Sequence, residues 1–95
     1  MQFMVTWKLA PAHQRDAARR FLDTGAPPPE GMRILGRWHA PGSAAGFTLC
    51  ETDDLGLVAA NLAEWGDLLE LNVTPVLEDE AAGAAIARGI ATYGG

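Results

Sequence analysis

The chain has 95 residues, 48% of them apolar, and a formal net charge of −5 at pH 7. That length holds one domain, residues 1–95, and that apolar content excludes a disordered chain. The acidic balance repels phosphate backbones and argues against nucleic-acid binding.

The first element is a strand over residues 2–8. Phe3, Val5 and Trp7 point one way, Met4, Thr6 and Lys8 the other. Pro11 suits the first turn of a helix running to residue 23, with Ala17 and Phe21 on its inner stripe. Gly25 stops that helix, and Pro27-Pro28-Pro29 make residues 25–31 a stiff extended connector. A second strand over 32–40, a turn-rich loop at 41–45 and a third strand over 46–52 make a hairpin. Symmetric closure of that loop sets Trp38 opposite Thr48 and Gly36 opposite Cys50. Arg37 then shares the other face with Leu49, and His39 with Phe47.

Asp53 or Asp54 caps a second helix, whose apolar stripe is Leu55, Val58, Leu62 and Trp65; Gly66 ends it. In a fourth strand over 68–76, Leu69, Leu71 and Val73 face one side, Glu70, Asn72 and Thr74 the other. Pro75 confines that strand to an edge. Glu78-Asp79-Glu80 place negative charge at the start of a last helix over 81–91, and Tyr93-Gly94-Gly95 are expected to fray.

The order β-α-β-β-α-β with a tail helix is the split βαβ pattern: an α+β domain with two helices on one face of a four-stranded antiparallel sheet. Phe3, Val5, Leu35, Phe47, Leu49, Leu69, Leu71 and Val73 are expected to pack against Phe21, Leu55, Val58, Leu62 and Trp65. The other sheet face would then carry Met4, Ile34 and Trp38 beside Thr6, Thr48, Cys50 and Asn72. A bare face of that kind needs a cover, and a second copy related by a two-fold axis is the simplest one. Such a homodimer encloses a pocket of mixed polarity, so Met4, Thr6, Trp38, Thr48, Cys50 and Asn72 are the expected ligand-binding residues.

Chemistry-bearing residues are few. His39 is the best general-base candidate, because histidine titrates near neutral pH; its plainer role is an exposed strand end. Glu70 is a second acid–base candidate, equally readable as solvent-exposed. Cys50 lacks an evident activating partner and reads as a small residue filling the sheet. Trp38 suits either stacking on a planar ligand or dimer packing. Glu51 is placed to pair with Arg33 or Arg37 across the hairpin. No metal-ligand spacing, glycine-rich phosphate loop or Ser-His-Asp arrangement stands out, so neither metal nor cofactor is expected.

The N-terminal MQFMVTWK lacks the features of a signal peptide, and no apolar run approaches the roughly 18–20 residues that span a bilayer. One cysteine suits a reducing compartment. The expectation is a cytoplasmic protein without membrane contact.

MQFMVTWK, the PPPEG connector, LGRWHAPG, the ETDD helix start and EWGDLLELNVTPVL, in that order, resemble a family of short bacterial proteins, domain of unknown function 3303. The resemblance covers roughly residues 1 to 80 and implies a ferredoxin-like protomer of the dimeric α/β-barrel superfamily. Other branches of that superfamily include cofactor-free quinol monooxygenases, polyketide cyclases and haem-degrading enzymes. The family often places a glutamate after an aromatic residue in strand four, where this chain has Leu71-Asn72. The resemblance implies no activity of its own. Two readings follow. One is a dimer that holds a small, partly apolar molecule between the sheets. The other, by superfamily analogy, is a cofactor-independent monooxygenase or cyclase acting on an aromatic or polyketide-like compound. A face packed solid would point instead to a purely structural module.

Overall fold

In the computed structural model, which describes residues 1–93, the first alternating run forms β1 (Gln2–Lys8). A 3-10 turn at Pro11–His13 leads into α1 (Gln14–Thr24), so the first helix is split where the sequence predicts one continuous element. The hairpin is β2 (Arg33–His39) and β3 (Ala45–Glu51); α2 (Leu55–Trp65), β4 (Glu70–Val76) and α3 (Asp79–Thr92) follow. The strands pair antiparallel in the order β2-β3-β1-β4, the ferredoxin-like arrangement.

Local chemistry sets the boundaries. Gly25 adopts φ 71°, and its N–H donates to the Phe21 carbonyl at 2.7 Å, closing α1. The Asp54 carboxylate accepts the Gly56 N–H at 2.8 Å and caps α2. Pro75 lies on β4, which is an edge strand. Strand four begins two residues later than its pattern predicts. The N–H groups of Leu68 and Leu69 both donate to the Trp65 carbonyl, at 3.0 and 2.9 Å, and that turn holds them out of the ladder.

The hairpin register differs from symmetric closure of a five-residue loop. Ala40 N–H donates to Ala45 O at 2.9 Å, so the loop has four residues, with Gly42 and Ser43 at positive φ. Trp38 therefore pairs with Phe47 and Gly36 with Leu49. An odd change in loop length turns over every side chain of the strand that follows. Thr48 and Cys50 thus face the helices, and Phe47 and Leu49 face away from them. A bulge at Leu35, which has no partner between the pairs Ile34–Cys50 and Gly36–Leu49, turns Ile34 toward the helices as well.

The core is Phe3, Val5, Met32, Cys50 and Val58, backed by Leu57, Leu62, Leu71 and Val73. Cys50 takes the place expected for Phe47 and Leu49, while Leu35, Phe47 and Leu55 are exposed. The N-terminal ammonium adds a tether to Asp53 at 3.1 Å.

α3 stands apart from this body. None of its residues is buried. The radius of gyration is 16.4 Å, against about 12 Å for a compact chain of this length. Ile86, Ile90 and Tyr93 are all exposed. The expected fraying of Gly94 and Gly95 lies outside the described residues. No described helix is long and apolar enough to cross a membrane.

Candidate functional site

Between the sheet and helices α1 and α2 lies a cavity of about 520 Å³. Val5, Trp7, Ile34 and Leu71 form its floor. Ala17 and Phe21 of α1 and Leu62 and Trp65 of α2 form its roof, and Pro27-Pro28 flank it. The polyproline connector cannot fold into a helix, so it runs extended past the cavity. Gln14 and Asn61 add side-chain amides.

Two basic residues of β2 enter the same space. Because side chains alternate along a strand, Arg37 and His39 face the helices while Gly36 and Trp38 face away. The His39 ring meets Trp7 edge-on at 5.4 Å and Phe21 at 5.2 Å between centroids. The Arg37 guanidinium lies 5.6 Å from the Phe21 ring centre. It donates to Ala26 O at 2.7 Å and Gly25 O at 3.3 Å. Partial burial pulls Arg37 below the ordinary arginine pKa.

The segment that receives Arg37 is built for it. The Thr24 hydroxyl donates to Arg20 O at 2.8 Å and accepts the Ala26 N–H at 3.0 Å. Ala26 sits at φ 45°, a conformation that costs a non-glycine residue roughly 1–2 kcal/mol. The resulting turn presents two consecutive carbonyls to one guanidinium. At the other end of the helix layer, Arg20 grips Asp67 through two bonds of 2.9 and 2.7 Å and lies 5.2 Å from the centre of the Trp65 ring. The hydrogen bond to Arg20 holds the Asp67 carboxyl below its ordinary pKa.

The six residues read from the sequence as ligand-binding are divided by the sheet. Met4, Thr6, Trp38 and Asn72 lie on the open face, and Trp38 is 55% exposed. Thr48 and Cys50 lie on the cavity side. Cys50 is 2% exposed. Its thiol donates to Phe3 O at 3.6 Å, and burial pushes its pKa up, so it is held as a neutral thiol. Of the two acid–base candidates, His39 is among the cavity-lining residues but is itself exposed at the end of β2, as its plainer reading expects. Glu70 is exposed at the start of β4, opposite Lys8. Glu51 pairs with Arg33 at 2.6 Å rather than with Arg37. Among the described residues no group of three His, Cys, Asp or Glu side chains is placed to hold a metal ion.

Arg37, Phe21 and Trp7 are cavity residues that the sequence reading does not single out for binding. The available signal was the alternation itself: Arg37 and His39 share a face opposite Trp38, which sets two basic groups on the helix side.

The fold and this cavity define the chain as a ferredoxin-like α+β domain with a cavity between sheet and helices. It belongs to the family described as domain of unknown function (DUF3303), whose model matches residues 1–90. Two solved structures are similar in fold. One is a candidate antibiotic biosynthesis monooxygenase from Deinococcus radiodurans, at 13% identity and a TM-score of 0.47, covering 81% of this chain and 92% of that one. The other is Rv0793 from Mycobacterium tuberculosis, at 14% identity and a TM-score of 0.46, covering 82% of this chain and 96% of that one. Comparison with curated proteins finds no match.

Proposed function

We propose that this chain works as one domain, paired as a homodimer, and binds a small, partly apolar molecule in the cavity between its sheet and helices α1 and α2. The cavity carries this reading: about 520 Å³ lies within the range of roughly 300–1,000 Å³ usual for small-ligand sites. Its walls are mainly apolar, with a few convergent polar groups, which is the usual make-up of such sites. The sequence points to the opposite face, between two sheets. On that face Trp38 and Phe47 are exposed beside Met4 and Leu49, and the face serves as the dimer contact instead. The unpartnered helix α3 supports the same pairing. The single buried thiol of Cys50 supports a cytoplasmic location.

Native mass spectrometry of the full chain tests this reading, with Ala17→Phe as the control that fills the cavity. A dimer that takes up 2-naphthamide, and loses that uptake in A17F, is expected. A chain that binds nothing, or that binds equally in A17F, overturns the cavity assignment; a monomer overturns the pairing.

One observation favours a second reading, in which bound substrate is also turned over without a cofactor. The His39 ring stands in the cavity wall against Trp7 and Phe21, where it could take a proton from an aromatic or polyketide-like compound. With 2-tetralone, a flat probe that has an acidic C–H beside its carbonyl, a His39→Gln variant that binds the probe but no longer speeds exchange of that C–H in deuterated buffer would support this role. Undiminished exchange would remove it.

A further inference from the structure

We infer that the cavity selects an anion: an aromatic or otherwise flat carboxylate whose charged oxygens pair with Arg37. The inference rests on the cavity reading above and adds the class of ligand.

Three observations carry it. The first is charge. The chain has twelve Asp and Glu residues, yet among the described residues none lines the cavity, whereas Arg37 and His39 do. A protein that is acidic overall thus lines a cavity whose only formal charge at neutral pH, among the described residues, is positive. The second is an unfinished pairing. Arg20 and Arg33 each hold a carboxylate, at 2.7 and 2.6 Å, and Arg15, Arg19 and Arg88, which hold none, are exposed; among the described residues Arg37 is the one partly buried arginine without a carboxylate. It is half-buried and bonded only to the carbonyls of Gly25 and Ala26. Those two bonds use two of the five N–H donors of a guanidinium and leave three for a ligand. A cation withdrawn from water normally finds an opposite charge, and a carboxylate matches the guanidinium fork. The third is preorganisation. The Phe21 ring and the strained turn at Ala26 hold the guanidinium in place before any ligand arrives.

The remaining walls describe the rest of the molecule. Trp7, Phe21 and Trp65 offer ring faces and edges, and among the described residues no wall residue other than Arg37 carries a formal charge. A flat apolar body with one anionic end fits this division.

The test uses a matched pair of probes, 2-naphthoate and 2-naphthamide, which differ in charge and little in shape, titrated calorimetrically into the full-length protein at neutral pH. At least a tenfold preference for the naphthoate is expected. In Arg37→Gln that preference should fall below threefold. Equal affinities, or a preference for the amide, would overturn the anion inference and leave the cavity reading intact. Binding of neither probe would overturn both. The comparison on the unmodified protein decides the question even if R37Q fails to fold, and Arg37→Lys should retain an intermediate preference because it keeps charge without the fork.

Discussion

The indole of Trp7 occupies the space that a Cβ on Gly46 would need. The two residues are paired across β1 and β3 on the helix side of the sheet. Only the missing side chain lets the ring form the cavity floor. A Cβ would also fall 2.6 Å from the Trp38 carbonyl oxygen of β2, a backbone atom that cannot step aside as a side chain can. Gly46→Ala is therefore expected to destabilise the fold by about 1–3 kcal/mol. It should also weaken cavity binding, because Trp7 must leave its place. Urea midpoints and a naphthamide titration check both effects; an unchanged midpoint would remove the packing argument.

Cys50 should behave as a core atom rather than a reagent. Burial raises its thiol pKa and the Phe3 carbonyl accepts a hydrogen bond from the protonated thiol, so the thiolate is scarce at neutral pH. An aromatic disulfide reagent is expected to label it at least about a hundredfold more slowly in the native protein than in denaturant. Native labelling should accelerate as pH rises. Rapid labelling at neutral pH would show that Cys50 is reached by solvent after all.

The Arg20–Asp67 pair predicts a pH dependence with a definite sign. Asp67 has its pKa lowered in the folded state, chiefly by the hydrogen bond from Arg20. Its contribution is present above the unfolded carboxylate range, about pH 4, and is lost as pH falls through the lower folded value. Asp67→Asn should therefore lower the urea midpoint slightly at neutral pH, and the difference from wild type should close in acid. The effect is small because the pair is solvent-exposed. A gap that widens in acid would contradict the pairing.

The open face predicts a change of assembly without a change of fold. Trp38 and Phe47 are cross-strand partners there, 55% and 48% exposed. Replacing Phe47 with Glu should convert the proposed dimer to a monomer in light scattering while leaving the circular dichroism spectrum unaltered, since the side chain is not in the core. A dimer that survives Phe47→Glu would move the contact elsewhere.

The element order was legible because each period is carried by several residues at once, as in Phe3-Val5-Trp7 or Leu55-Val58-Leu62-Trp65. The facing of β3 was not, because it depends on whether the loop holds four residues or five. Composition at Pro41-Gly42-Ser43-Ala44-Ala45 does not distinguish the two. The bulge at Leu35 hid the inward turn of Ile34 for the same reason. The cavity was illegible in a different way. It is the space left between two layers, set by how far α1 and α2 stand off the sheet, and no local pattern records that distance. His39 was visible as chemistry. Arg37 read as a hairpin ion-pair partner until Glu51 proved to be committed to Arg33.

The four-residue loop between β2 and β3 works as a parity device. Its length decides whether β3 offers Thr48 and Cys50, or Phe47 and Leu49, to the helices. Two added residues would leave that choice intact. One added or lost residue would turn a small, neutral cavity wall into a bulky one and strip the opposite face of its apolar centre, unless a second bulge restored the count. The composition of this turn is thus free to change, while its length is constrained in steps of two.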